Sequence, residues 1–221
     1  MTRAAPHPAS ARLGGLHVLA DDDPRWPHDP VAQGRAACAA GAAVVQLRAK
    51  RATDREALAL AAELRAATRA CGALLLVNDR FDLALVAGAD GVPRGQSDLP
   101  PASIPKTLRE RLVVGRSTHT LEQARAARLE PVDYVAFGPV FGTTSKDSPH
   151  AARGLALLRE AAALVAPLPL VAIGGIHAGN AAAVIAAGAA AVAVISAVAG
   201  ADDPEAAVRA LVQAISGALR R

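Results

Sequence analysis

Short apolar runs alternate with longer Ala-, Leu- and Arg-rich segments along the whole chain. The runs are Leu16–Leu19, Val44–Leu47, Leu74–Val77, Gly91–Val92, Leu112–Val114, Tyr134–Phe137, Leu170–Ile173 and Val192–Ile195. They are continuous rather than alternating, which suits parallel strands buried on both faces. Between them the spacing predicts helices over Asp54–Ala70, Pro100–Arg111, Thr120–Arg128, Leu155–Leu164, Asn180–Ala187 and Pro204–Leu219. In the first of these Leu58, Ala61, Ala62 and Leu64 fall in helical spacing behind the N-cap candidate Thr53. Thr120 with Gln123 fits a capping box, and Pro204 fits a first helical turn.

Strand–helix alternation implies right-handed parallel crossovers. Eight such units predict an α/β fold, a single-domain (β/α)8 TIM barrel over residues 12–221, with residues 1–11 as a flexible N-terminal tail. An open doubly wound sheet is the alternative. It is disfavoured because Ala20-Asp-Asp-Asp-Pro, and no GxGxxG, follows the first run.

Composition narrows the chemistry. At 52% hydrophobic and 20% charged residues, the chain builds a core and is not disordered. Aromatics at 2% leave no base-stacking surface, so no nucleic-acid partner is expected. The net charge of +4 is spread without a basic block. All but three of the 24 cationic residues are Arg, which draws attention to Lys50, Lys106 and Lys146. Cys38 and Cys71 lack metal-ligand spacing and read as free thiols of a reducing cytosol. The first residues hold no apolar core of signal-peptide length, so a cytoplasmic protein is expected. Ala181–Gly200 is uncharged but Ala- and Gly-rich, and reads as a buried helix and strand, not a membrane span. A homo-oligomer is compatible with all of this.

In a barrel the chemistry gathers after each strand, on the carboxyl-terminal rim. The residues there are Gln46-Leu-Arg-Ala-Lys50, Asn78-Asp79-Arg80, Gly95-Gln-Ser-Asp98, Gly115-Arg-Ser-Thr-His119, Gly138 through Lys146, Gly174-Gly175 and Ser196. Asp79 and Asp98, on adjacent strands, could hold Mg²⁺, which takes one or two carboxylates plus substrate phosphate oxygens. An Asp after a strand also commonly caps the next helix. Lys50, Lys146 and Arg48 suit a polyanion. Gly174-Gly175 and Ser196 can present backbone N–H groups to a phosphate monoester, although glycines also serve simple turns. His119 could approach the rim or orient a loop. No GxSxG, HExxH or Ser/His/Asp constellation is present.

These loops, in this order from about Leu13 to Ala199, resemble the thiamine-phosphate synthase family, which shares a superfamily with the thiazole tautomerases. The resemblance implies small-molecule substrates: a 4-amino-2-methylpyrimidine diphosphate joined to a thiazole phosphate with release of pyrophosphate. It implies that Gln46, Leu47, Arg48, Ala49, Lys50, Asn78, Ser117 and Lys146 contact the pyrimidine diphosphate. Arg48, Lys50 and Lys146 would be the catalytic cations. It further implies that Asp79 and Asp98 bind Mg²⁺, and that Thr143, Thr144, Ser145, Gly175, Ile195 and Ser196 contact the thiazole phosphate. The implied chemistry is dissociative, with the thiazole nitrogen as nucleophile, so no protein base is needed.

Three segments depart from the family pattern. The loop usually written Gly-Val-His-Leu-Gly-Gln is Gly91-Val-Pro93-Arg94-Gly95-Gln96, where Arg94 is expected to add charge toward the diphosphate. Gly142 and Ser145 replace a usual Pro and Thr, and His17 stands where the first strand often has Tyr. A thiazole tautomerase needs an acid–base group where Pro139 stands. A non-catalytic phosphate-binding barrel would need only the glycine-bounded site, and the strand-end His/Asp metal set that a sugar-phosphate epimerase needs is missing from this sequence.

Overall fold

The computed structural model describes residues 7–143, 145 and 151–220. Its strands β1 (Gly15–Asp21), β2 (Val44–Arg48), β3 (Leu74–Val77), β4 (Gly91–Arg94), β5 (Val113–Thr118), β6 (Tyr134–Phe137), β7 (Leu170–Ile173) and β8 (Ala191–Val194) pair in sequence order. All pairings are parallel, and Gly15–Val18 closes the barrel against Ala191–Val194. The expected single-domain TIM barrel is the observed fold.

Side-chain alternation sorts the strands into two layers. Leu19, Val44, Leu74, Leu76, Val113, Tyr134, Val171 and Ala193 fill the lumen. Val18, Val45, Leu75, Val92, Val135 and Ala172 face outward and pack beneath the helices. Continuous apolar strands are therefore required, since both faces are dry. Gly115 makes room for the largest lumen side chain, because a Cβ there would overlap the Tyr134 ring.

The helices, in order, are α1 (Pro30–Ala39), α2 (Asp54–Cys71), α3 (Phe81–Val86), α4 (Lys106–Arg109), α5 (Leu121–Ala127), α6 (Gly154–Val165), α7 (Ala178–Ala186), α8 (Ser196–Ala199) and α9 (Pro204–Leu219). Thr53 and Glu56 complete a capping box on α2. Thr120 caps α5 through the Gln123 N–H at 3.2 Å, but the Gln123 side chain accepts from His119 N–H instead of closing a box. The helix expected over Pro100–Arg111 is split into a 3-10 turn (Pro101–Ser103) and α4, because Pro105 has no N–H to continue it. Pro8–Arg12, which overlaps the expected tail, forms a 3-10 turn, and His7 N–H bonds the Asp133 carboxylate at 2.8 Å. No helix among the described residues is long and apolar enough to cross a membrane. The uncharged stretch is α7 followed by β8 and α8.

Candidate active site

Strand parity decides which rim residues face the lumen. On β2, Gln46 and Arg48 share the inward parity of Val44, whereas Leu47 is buried among the helix-facing side chains. Leu47 therefore offers the site only its backbone, and its carbonyl accepts from Asn78 N–H at 2.9 Å. Gln46 Nε2 donates to Asn78 Oδ1 at 2.6 Å, which joins the ends of β2 and β3. Gln46, Asn78 and Ser117 border an open cavity of about 500 Å³ whose inner wall includes Leu19, Tyr134 and Ala136.

The residues after β2 are held by the acidic run after β1. Asp21 pairs in register with Arg48, and its carboxylate accepts from Arg48 Nη1 at 2.8 Å. Gln33 clamps the Asp21 main chain, donating to its carbonyl at 3.0 Å and accepting its N–H at 2.9 Å. Asp22 accepts from the main-chain N–H groups of Lys50, Arg51 and Ala52 at 2.9, 2.7 and 2.8 Å. Ala49 lies in this loop and packs against the helix-facing core. Neither Asp21 nor Asp22 was among the residues predicted for the site. Their signal in the sequence was an acidic run in the barrel loop beside a cationic one.

Lys50 Nζ bonds the Asp79 carboxylate. Asp79 is the sole non-glycine residue with positive φ among those described, at 65°, in the turn that follows β3. Asp98 Oδ2 accepts from Gly95 N–H at 2.5 Å. Burial raises the Asp98 pKa, and the neighbouring Asp79 carboxylate raises it further against the Gly95 bond. Asp98, whose ionisation the Asp79 carboxylate opposes in a partly dry cleft, forms with it the donor chemistry for a divalent cation, which would relieve that repulsion. No group of three or more metal-ligating side chains occurs among the described residues. The remaining ligands would come from substrate and water.

A second open cavity, of about 520 Å³, lies at the ends of β6, β7 and β8. Thr143, Ser145, Gly175, Ile195 and Ser196 border it. Thr143 Oγ1 accepts from Ser145 N–H at 3.2 Å, and Asn180 Nδ2 holds the Gly175 carbonyl at 3.0 Å. Gly175 has φ 62°, and a Cβ on it would overlap the Gly142 carbonyl. Thr144 and Lys146 lie outside the described residues. His119, Ile173 and Ala193 border both cavities, so the two adjoin. His119 Nδ1 sits 2.7 Å from the Gly138 carbonyl, which can only accept, so Nδ1 carries a proton there.

Arg94 corrects an expectation. It has the outward parity of Val92, is 4% exposed, and points away from the lumen toward Phe81. Its guanidinium is engaged by the main-chain carbonyls of Asp79 and Leu99.

A closed (β/α)8 barrel with polar residues and two adjoining cavities on its carboxyl-terminal rim is the architecture of an enzyme that acts on small molecules. The family model described as thiamine monophosphate synthase matches residues 16–198, and the chain belongs to that family. A thiamine-phosphate synthase of Anaeromyxobacter dehalogenans is 52% identical over 198 residues, covering 89% of this chain and 86% of the relative. One of Methanoculleus marisnigri is 46% identical, covering 92% and 96%. The solved thiamine phosphate pyrophosphorylase of Pyrococcus furiosus superposes with a TM-score of 0.84 at 35% identity, covering 95% of this chain and 98% of that one. With such relatives the chain is a transferase.

Proposed function

We propose that the chain condenses a 4-amino-2-methylpyrimidine diphosphate with a thiazole phosphate to give thiamine phosphate and pyrophosphate. The observation that carries this is the pair of adjoining cavities. One is bordered by Gln46, Asn78 and Ser117 beside the Lys50–Asp79–Asp98 cluster, the other by Gly175 and Ser196. Relatives printed as thiamine-phosphate synthases support the same reading.

In this reading the amide pair of Gln46 and Asn78 and the Ser117 hydroxyl orient the pyrimidine ring. Its reacting methylene then points toward the junction at His119. Lys50, and Arg48 on its Asp21 support, draw negative charge that builds on the diphosphate as the C–O bond breaks. The electron pair leaves with pyrophosphate. The lone pair of the thiazole nitrogen, placed across the junction, forms the new C–N bond. Orientation of two substrates is the protein's main contribution, so no base is required. Mg²⁺ held by Asp79 and Asp98 would supply further charge neutralisation on the leaving group. Charged, phosphorylated substrates do not cross membranes unaided, which fits the cytoplasm as the site of reaction.

The test is incubation of the purified chain with both substrates, with Mg²⁺ or with EDTA, and assay of thiamine phosphate. Product with Mg²⁺ and none with EDTA is expected. Absence of product with Mg²⁺ present, together with tautomerisation of a thiazole carboxylate phosphate, would overturn the synthase reading in favour of an isomerase.

A further inference from the structure

Arg94 is one of the few arginines withdrawn from solvent, at 4% exposure, and it bonds main-chain carbonyls instead of a carboxylate. Nη1 donates to the carbonyl of Asp79, while Nε and Nη2 donate to the carbonyl of Leu99 at 3.2 and 2.9 Å. Leu99 directly follows Asp98. One planar fork thus spans the two loops that carry the paired carboxylates. The fork rests 5.9 Å from the centroid of Phe81, the first residue of α3, which fixes it from the other side. Asp79 is tied to the same strand a second time, because its N–H donates to the Pro93 carbonyl at 2.9 Å.

We propose that Arg94 is a positioning residue that sets the separation of Asp79 and Asp98 for a divalent cation, an inference that rests on the cation-assisted reading above. The residue type matters. A guanidinium has donors on three nitrogens in a fixed plane and reaches both carbonyls at once, whereas a lysine ammonium is a single point. An aliphatic side chain would satisfy neither. Without the fork, the left-handed turn at Asp79 and the Asp98 loop lose their shared anchor, and the carboxylates keep their identity but not their spacing.

The experiment uses Mn²⁺ as the probe, titrated into the full chain and followed by water-proton relaxation, with Mg²⁺ half-saturation of turnover measured alongside. Wild type is expected to bind Mn²⁺, and Asp98→Asn to abolish that binding. Arg94→Met is expected to weaken Mn²⁺ binding at least tenfold and to raise half-saturating Mg²⁺ by a similar factor, with a smaller change in kcat. Arg94→Lys, which keeps the buried charge and most of the volume, is expected to fall between. It remains informative if Arg94→Met does not fold. A folded Arg94→Lys or Arg94→Met variant with wild-type Mn²⁺ affinity and Mg²⁺ half-saturation overturns the proposal alone. Wild type that binds no Mn²⁺ and turns over in EDTA overturns the cation reading and the proposal together.

Discussion

Arg48 lies against the carboxylate of Asp21 at 2.8 Å, the Asp21 side chain fully buried and that of Arg48 16% exposed. The two are register partners on neighbouring strands and both face the barrel mouth. Trp26 Nε1 adds a longer bond to the second Asp21 oxygen at 3.3 Å. Removing either partner strands the other, and the unequal burial sets the order. Arg48→Ala leaves a dry carboxylate without its cation, and should cost about 3–5 kcal/mol. Asp21→Ala leaves a guanidinium that can still reach water, and should cost less. The double variant should be more stable than the sum of the single losses predicts, by about 1–3 kcal/mol. Urea unfolding of the four proteins measures this, and strict additivity would contradict the pairing.

Asp22 acts on the same loop through its backbone. Its carboxylate gathers three successive N–H groups, from Lys50, Arg51 and Ala52. The groups are solvent-accessible, so Asp22→Ala should cost only about 1–2 kcal/mol. The larger consequence is a loop no longer ordered before substrate arrives. Faster hydrogen exchange at these three amides is expected, with a rise of about tenfold in KM for the diphosphate substrate. Asn keeps one acceptor oxygen and should recover part of both effects. Unchanged exchange would show that the loop is ordered by something else.

What could be read along the chain depends on how local each feature is. The runs at Leu74–Val77, Tyr134–Phe137 and Leu170–Ile173 coincide with β3, β6 and β7, because a doubly buried strand announces itself by apolar continuity. α1 was not predicted: it is Ala-rich with little amphipathic contrast, and its only clear marks are Asp29 and Pro30 at its start. At the site, the paired carboxylates and the cation of Lys50 follow from position after a strand. The inward Asp21–Arg48 pair and the outward Arg94 do not, since they depend on which way each strand end faces. One residue of parity separates a substrate contact from a loop brace.

His17 gives the protein an acid-sensitive core. It is 1% exposed, and Nε2 sits 2.7 Å from the Leu13 carbonyl, so it is the neutral ring that donates there. Burial lowers its pKa from 6.5 to about 4, against the opposing effect of the Leu13 bond. Above pH 6.5 the imidazole is neutral in both folded and unfolded chains, and stability is full. As pH falls from 6.5 toward 4, the unfolded chain binds a proton that the native chain refuses. The loss sums to about 3 kcal/mol by linkage. His17→Gln keeps a donor for Leu13 and cannot titrate, so its unfolding free energy should fall less between pH 7 and pH 5. Parallel profiles for the two proteins would remove His17 as the cause.

Gly175 should separate the two substrates. Its φ of 62° strains any other residue, and an added Cβ would overlap the Gly142 carbonyl and approach Phe141 Cβ to 2.8 Å. The obstructing atoms are largely backbone, so no rotamer change relieves the clash. Gly175→Ala must push the Phe141–Gly142 segment aside, and that segment leads into Thr143 and Ser145 at the second cavity. The cluster of Lys50, Asp79 and Asp98 is built on β2, β3 and β4 and is not touched by this displacement. KM for the thiazole phosphate should therefore rise at least tenfold, while KM for the pyrimidine diphosphate changes little. Gly142→Ala is the control, since a Cβ there meets nothing within 4 Å and the same loop keeps its path. Steady-state kinetics with each substrate varied in turn decides it. A Gly175→Ala protein that raises both KM values equally would mean that the two cavities do not divide the substrates between them.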